Sequence, residues 1–168
     1  MKSIRVIGFD TEWFPDVNNK APLSKTALVQ LAFTNHAVLI HLIHTSKVPP
    51  TLIEILKNPK YIKTCQDPRQ DIDRLMKGYG LVIEGMTDLK KIAKKYQLKD
   101  GLNNIYNQVS GKNMSPTPNA LTNWEAIPLK DTQILYAAID AIQSRESMVL
   151  LHKVYAKEEE DMVLFIIY

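Results

Sequence analysis

The strongest restriction on the fold of this chain is a short apolar run near its amino terminus that ends in acidic residues. Residues 4–10 are mostly apolar and rich in β-branched side chains, which predicts a buried strand. Two further apolar runs, at 27–34 and 37–43, flank Asn35-His36. Two apolar runs separated by a two-residue turn predict a β-hairpin, so the first part of the chain is expected to build a sheet.

Helical patterns dominate the later part of the chain. Pro49-Pro50 opens a predicted helix that continues to about residue 58, because proline in the first helical turn wastes no hydrogen bond. A further short strand is predicted at 61–65. The segments after it are predicted helices at 70–79, at 87–97 with Thr87 as its N-cap, and at 130–155, together with an irregular loop at 107–123.

The order of strands before helices indicates an α/β fold, a mixed β-sheet flanked by α-helices. A length of 168 residues fits a single domain over residues 1–168 and is long enough to bury a core. Hydrophobic residues make up 45% and charged residues 23%, the balance of a globular protein rather than a disordered one. The net charge of +3 suits a polyanionic partner without requiring one.

The cysteine content and the absence of targeting signals bear on the cellular compartment. Cys65 is the single cysteine and cannot form an internal disulfide, so a reducing compartment is expected. The amino-terminal residues lack the long apolar core of a signal peptide, and no apolar stretch reaches the length of a membrane span. We therefore expect a cytoplasmic or nuclear protein that is not secreted and makes no use of a membrane.

Two acidic residues follow the first predicted strand. Asp10 and Glu12 are two positions apart, so in a strand both side chains point to the same face and can reach one metal ion. Acids at the end of an apolar strand are costly unless they are solvated or bind a cation. An isolated Asp-x-Glu pair is more often the acidic start of an ordinary loop. This pair therefore indicates a metal site only together with other candidate residues.

A tyrosine and an aspartate form a second candidate pair, on the long predicted helix. Tyr136 and Asp140 are four residues apart, which places them on one side of a helix about one turn apart. Ala137, Ala138 and Ala141 surround them with small side chains that would allow a ligand or a strand to come close. An amphipathic helix with one exposed acid explains this pattern equally well when it stands alone.

A third candidate acid is Asp71, at the start of the predicted helix at 70–79. An aspartate there is also explained by its favourable interaction with the positive helix end. Asp67 and Asp73 are close competitors, and helical periodicity does not separate Asp71 from Asp73.

The combination of these residues resembles the tyrosine (DEDDy) branch of the DnaQ-like 3′–5′ exonucleases, the group of the Werner-syndrome-protein exonuclease domain and RNase D. The resemblance covers residues 4–152, and its three motifs are Asp10-Thr11-Glu12-Trp13, Asp71 with Leu75, and Leu135-Tyr136-Ala137-Ala138-Ile139-Asp140-Ala141 with the leader Asn123-Trp124, Pro128-Leu129 and Gln133. The chain departs from the family at 65–69, where Cys-Gln-Asp-Pro-Arg replaces the usual glycine-rich approach to the second motif.

This resemblance implies a ribonuclease H-like fold and hydrolysis of phosphodiester bonds from the 3′ end of DNA or RNA, releasing nucleoside 5′-monophosphates. It implies two divalent cations, Mg²⁺ or Mn²⁺, which prefer oxygen ligands. Asp10 would bridge the cations, Glu12 and Asp140 would complete the one that activates water, and Asp71 would act on the other. Tyr136 would aim the attacking water by a hydrogen bond rather than act as a base, because a phenol with a pKa of about 10 is protonated at neutral pH.

Substrate contacts and partners are expected at three further places. Thr11 and Trp13 are predicted substrate-binding residues, since bases stack well on aromatic rings, although Trp13 suits a core position equally. A face with four lysines on the helix at 87–97 would contact phosphates, or would simply be solvated. The apolar tail at 162–168 is predicted to pack on its own domain, on a protein partner or on a second copy. A catalytically impaired nucleic-acid-binding or scaffold module is the alternative function.

Overall fold

A five-stranded mixed sheet organises the molecule. The computed structural model describes residues 5–14, 24–114 and 122–155, and the predicted apolar tail at 162–168 lies outside them. The sheet has the order β3-β2-β1-β4-β5, with β1 in the centre, antiparallel to β2 and parallel to β4. Its strands are β1 (Arg5–Trp13), β2 (Thr26–Ala32), β3 (Ala37–Ile40), β4 (Tyr61–Cys65) and β5 (Met86–Asp88).

Helices cover both faces of this sheet, which confirms the predicted α/β class. They are α1 (Pro50–Lys57), α2 (Arg69–Tyr79), α3 (Leu89–Lys95), α4 (Leu102–Ser110) and α5 (Asp131–Tyr155), with a short 3₁₀ helix at Leu42–His44. Within the described part of the chain, none of these helices has the length and apolar character needed to cross a membrane.

Several of the predicted boundaries are wrong, among them the end of the first strand, which continues past residue 10 to Trp13. The second hairpin strand ends at Ile40 rather than at residue 43, because the chain turns into the 3₁₀ helix. Thr87 lies in β5, and α3 is capped instead by Asp88, whose carboxylate accepts a hydrogen bond from the backbone N–H of Lys90 at 2.9 Å. Residues 107–110, predicted as loop, end α4.

The helix α4 was not predicted because its asparagine-rich sequence has low intrinsic helix propensity. Burial explains why it forms, since Ile105 and Tyr106 pack into the interior and α4 lies against α5. Tertiary packing of an apolar face commonly overrides a weak local preference.

Two apolar cores lie on opposite faces of the central strand, as the alternation of side chains in β1 requires. Ile7 and Phe9 enter the core that α1 and α2 cover, whereas Val6 packs against the core of α3, α4 and α5. A smaller cluster joins Ala27 and Leu28 of β2 to Trp124 and to α5. The carboxyl end of β1 is therefore held between both helical layers.

The helix α5 approaches β1 unusually closely at Gly8. A Cβ atom built on Gly8 would lie 1.8 Å from the backbone oxygen of Ala141. Ala137 and Ala141 are both fully buried at this contact face. Small residues on both elements thus set how near the helix comes to the strand and where Asp140, the residue before Ala141, is placed.

Replacing Gly8 by alanine is expected to lower the free energy of unfolding by about 1–3 kcal/mol or more, because the added methyl collides with helix backbone that has no room to yield. Denaturant unfolding measures this change. Gly78→Ala in α2 is the matched control: its Cβ would lie 3.4 Å from the flexible Lys25 side chain, so the fold should be unaffected or slightly stabilised. Equal stability of the two variants would contradict the close-packing explanation.

Candidate active site

Four carboxylates converge at the carboxyl end of β1. Oxygen atoms of Asp10, Glu12 and Asp140 lie within 4.8 Å of one another. A second group joins Asp10 to a carboxylate oxygen of Asp71 and to Sγ of Cys65 within the same distance. Asp10 belongs to both groups, so two adjacent sets of potential ligand atoms share one carboxylate.

Each element contributes its acid for a local reason. Asp10 and Glu12 share one face of β1, as their spacing predicts. Asp140 enters from α5, whose position is fixed by the contact of Ala141 with Gly8. Asp71 lies in the first turn of α2, the helix that follows β4. Because β1 and β4 run parallel, their carboxyl ends meet at the same edge of the sheet.

The geometry separates the three aspartates that sequence periodicity left open. Asp71 is 5% exposed and accepts a 2.6 Å hydrogen bond from the hydroxyl of Thr11. Asp73 instead pairs with Lys77 at 2.8 Å, with side chains that are 45% and 65% exposed. Asp67 pairs with Arg69 at 2.7 Å. Of the three, Asp71 is the one whose carboxylate groups with Asp10.

Thr11 was predicted as a substrate contact, and the structure gives its side chain a different neighbour. Its hydroxyl donates to Asp71, and its backbone N–H donates to Asp10 at 3.0 Å. Thr11 therefore orients both acids. The sequence offered no signal for this contact because the two partners are 60 residues apart; the prediction of a substrate contact at Thr11 stays a prediction.

Tyr136 lies on α5 beside Asp140. Its ring packs against Trp124, which is fully buried, with ring centroids 5.9 Å apart. The Trp124 carbonyl accepts a 2.8 Å hydrogen bond from His41, which fixes the loop before α5. Burial, and then the charge of Asp140, raise the pKa of Tyr136 above its ordinary value, so the hydroxyl is protonated at neutral pH.

The carboxylates are held in an environment that opposes their charge. Burial, and after it the charges of Asp71 and Glu12, raise the pKa of Asp10 well above its ordinary value. Burial and the charge of Asp140 raise the pKa of Glu12 to about 9. The pKa of Asp140 rises to about 6 because burial outweighs its interaction with Tyr136. A group of acids that repel one another in this way has the charge and the oxygen atoms that hard divalent cations bind.

Trp13 borders a cavity of about 610 Å³ beside these acids, which Asp10, Thr11 and Asp71 also line. The guanidinium of Arg74, which is 4% exposed, lies 4.2 Å from the centre of the Trp13 ring. Arg74 in turn donates to the backbone oxygen of Ser24 at 2.6 Å. The arginine supports the indole from one side, a contact that the sequence did not reveal.

The segment that departs from the family adopts a backbone suited to glycine. Asp67 has a φ of 58°, in the left-handed region that favours glycine and, among other residues, tolerates aspartate. Its backbone N–H donates to Asp88 at 3.1 Å, and its carboxylate binds Arg69 and, at 2.9 Å, Lys90. The pKa of Asp67 is accordingly well below its usual range, chiefly because of the hydrogen bond from Arg69. These hydrogen bonds and ion pairs hold the backbone of the segment that leads from β4 to Asp71.

Asp140→Asn is expected to stabilise the protein in a chelating buffer at pH 8 by about 1–3 kcal/mol. The folded-state pKa of Asp140 lies above its ordinary 3.8, so the folded chain binds the proton more tightly than the unfolded chain does. The unfolding free energy therefore falls as pH rises from about 4 through about 6, and the asparagine avoids this loss. Thermal unfolding at pH 5 and pH 8 measures the difference, which should be larger at pH 8.

The control for this prediction is Asp73→Asn, which removes an exposed acid from the neighbouring helix and should change stability little. A lower melting temperature of Asp140→Asn in chelator at pH 8 would show that burial of the ionised Asp140 carboxylate does not destabilise the folded protein.

The comparison with known protein families agrees with this geometry. The model of the 3′–5′ exonuclease family matches residues 1–153. The chain belongs to this family, which confirms the resemblance identified from the three motifs.

Two relatives and two solved structures illustrate the likeness. Exonuclease 3′–5′ domain-containing protein 2 of Mus musculus is 31% identical over 156 residues, 84% of this chain and 23% of that protein. The bifunctional 3′–5′ exonuclease/ATP-dependent helicase WRN of Mus musculus is 30% identical over 81% of this chain and 10% of that protein. The chain therefore spans less than a quarter of the length of either.

The solved structures establish the fold. The Aedes aegypti Nibbler EXO domain is 19% identical with a TM-score of 0.79, covering 96% of this chain and 84% of that one. Brucella melitensis NrnC with bound Mg²⁺ is 21% identical with a TM-score of 0.73, covering 92% and 75%. The predicted ribonuclease H-like arrangement of sheet and helices is confirmed by these matches.

Proposed function

We propose that this chain removes nucleotides one at a time from the 3′ end of DNA or RNA by hydrolysing the terminal phosphodiester bond. The observation that carries the proposal is the pair of ligand sets that share Asp10, with the protonated Tyr136 hydroxyl beside them. Family membership supports the 3′–5′ direction. Convergence of all four acids and the tyrosine disfavours the alternative of an impaired binding module.

The donor set fits two divalent cations, because carboxylate oxygens are the ligands that Mg²⁺ and Mn²⁺ prefer. Asp10, Glu12 and Asp140 would hold one cation, and Asp10 with Asp71 the other. Two such cations, when bound, would acidify a water and offset the charge on the entering and leaving oxygens. Mg²⁺ bound to Brucella melitensis NrnC, a structural neighbour, supports this assignment.

The remaining residues would position the reactants. Tyr136 keeps its proton and therefore serves as a hydrogen-bond donor rather than a base, directing the attacking water toward phosphorus. Thr11 holds Asp71 in place, and Trp13 would stack against the terminal nucleotide in the adjoining cavity, braced by Arg74. A nucleic-acid ligand is consistent with neighbouring structures that hold pGG, in Brucella melitensis NrnC, and RNA U12, in Trypanosoma brucei RNase D.

A 5′-labelled oligonucleotide tests the direction and the metal requirement together. With Mn²⁺ the products should form a descending ladder of labelled fragments, and a 3′-phosphate should delay its start. Excess EDTA should abolish hydrolysis, because the acids without cations provide no stabilisation for the phosphate charge. Immediate release of a labelled 5′ mononucleotide, or full activity in EDTA, would exclude the proposal.

Two substitutions on one face of α5 should fail differently. Tyr136→Phe removes one directed hydrogen bond, which costs roughly 1–3 kcal/mol of transition-state stabilisation, or about tenfold to a few hundredfold in rate. Its dependence on Mn²⁺ concentration should match that of the wild type. Asp140→Asn removes a charged ligand, so its rate should fall further and its requirement for Mn²⁺ should increase. Single-turnover rates over a Mn²⁺ titration distinguish these results.

Wild-type rates in Tyr136→Phe would restrict Tyr136 to packing against Trp124. Replacing a residue outside the cluster on the same helix provides the control: Glu146→Gln, whose partner is the adjacent Arg145, should retain wild-type rates and metal dependence.

A further inference from the structure

A second cavity, of about 570 Å³, adjoins the candidate active site. It lies between α2 and α3, and both cavities are lined by Asp67 and Arg69. The partly buried side chains of Ile72, Met86 and Ile92 supply its apolar lining. We call this cavity the α2–α3 groove.

The position of the groove follows from the sheet. Strands β1, β4 and β5 are successive parallel neighbours, so their carboxyl ends share one edge. Asp10 lies near that end of β1, and α2 and α3 begin just after β4 and β5. The groove therefore lies beside the acid cluster, at the same carboxyl ends of the parallel strands.

Charge divides the two cavities. The acid cluster surrounds Asp10, whereas the α2–α3 groove is bordered by the exposed Lys91 and Lys94. Among the described residues, neither lysine has an ion-pair partner within 4.0 Å. Asp67, in contrast, is already bound by Arg69 and Lys90. The lining also includes Asp88, so its four cations and two acids leave a net charge of two positive units for a ligand.

We propose that the α2–α3 groove binds the single strand of nucleic acid that leads to the 3′ end held at the acid cluster. This inference rests on the proposed exonuclease function. Lys91 and Lys94 would contact backbone phosphates, and the apolar lining would contact base faces. A duplex hides its base faces in its own stack, so an apolar lining with a cationic border matches a single strand.

The polarity of the strand follows from this arrangement. The terminal phosphodiester lies at Asp10, so the preceding nucleotides extend past Asp67 and Arg69 into the groove. A dinucleotide would occupy only the first cavity, whereas a longer strand would reach Lys91 and Lys94. The two lysines should therefore affect long substrates more than short ones.

Binding tests the groove independently of turnover. The fluorescence anisotropy of a labelled single-stranded 12-mer is measured in EDTA with the wild type, with Lys91→Glu/Lys94→Glu, and with Lys57→Glu/Lys60→Glu. The last variant carries the same charge change on exposed lysines at the amino end of β4, whereas the groove lies at the carboxyl ends of the parallel strands. We expect affinity to fall at least tenfold for the groove variant and less than twofold for the control.

Salt dependence identifies the lost contacts as phosphate contacts. Each neutralised phosphate of a single strand contributes about 0.7 to the slope of log affinity against log salt, so the groove variant should lose about 1.4. An unchanged slope, or equal losses in the two variants, would overturn the proposal. Equally strong competition by a blunt duplex would overturn the assignment to a single strand.

Turnover with Mn²⁺ provides the second readout. For the groove variant, kcat/KM on the 12-mer should fall at least fivefold more than kcat/KM on a dinucleotide. Equal losses on both substrates would mean that the lysines support the fold or the acid cluster rather than the strand, and would overturn the proposal. A wild-type protein that hydrolyses neither substrate would refute the proposed function, while the binding measurements would still decide whether the groove holds nucleic acid.

Discussion

The close contact between β1 and α5 at Gly8 and Ala141 is the constraint on which the site depends. Asp10 and Glu12 belong to the strand and Asp140 and Tyr136 to the helix, so the distance between these elements sets the distance between the acids. Gly8 has no side chain, and this absence of a Cβ atom permits the close approach. A packing contact two residues from Asp10 and next to Asp140 thus determines the geometry of the candidate ligand sets.

The convergence of acids has an energetic cost that the surrounding structure must bear. Burial raises the pKa values of Asp10, Glu12, Asp71 and Asp140, and repulsion from neighbouring acids of the cluster raises those of Asp10 and Glu12 further. The ionised forms of these acids therefore destabilise the folded chain without cations. The apolar cores on both faces of the sheet offset this cost. Cation binding would relieve the repulsion, so stability and metal affinity would be linked in this fold.

Some of the site was predictable from sequence and some was not, for identifiable physical reasons. The two-residue spacing of Asp10 and Glu12 and the four-residue spacing of Tyr136 and Asp140 report geometry directly, because strands and helices have fixed periods. Asp71 and Asp73 flank the same apolar stripe, so helical periodicity does not separate them. The resemblance to the second motif favours Asp71, and the contact of Asp71 with Thr11 distinguishes the two in the structure.

The fold was predictable to a similar extent. Strands β1 to β4 are short apolar runs that the sequence displays, whereas β5 was not predicted. Helix α4 forms through burial of Ile105 and Tyr106 against α5, which local propensity does not record. Asp67 pairs with Lys90, which is 23 positions further along the chain, and Lys90 also pairs with Asp100. Contacts of this kind depend on the completed sheet and have no local sequence signal.

The most direct test of the central claim is anomalous X-ray diffraction from crystals of the protein grown with Mn²⁺. If two adjacent ligand sets share Asp10, the anomalous map should contain two peaks about 3.5–4 Å apart, one beside Glu12 and Asp140 and the other beside Asp71. A map with no peak at Asp10, or with Mn²⁺ bound only elsewhere on the surface, would contradict the claim that the β1–α5 contact builds a two-cation site.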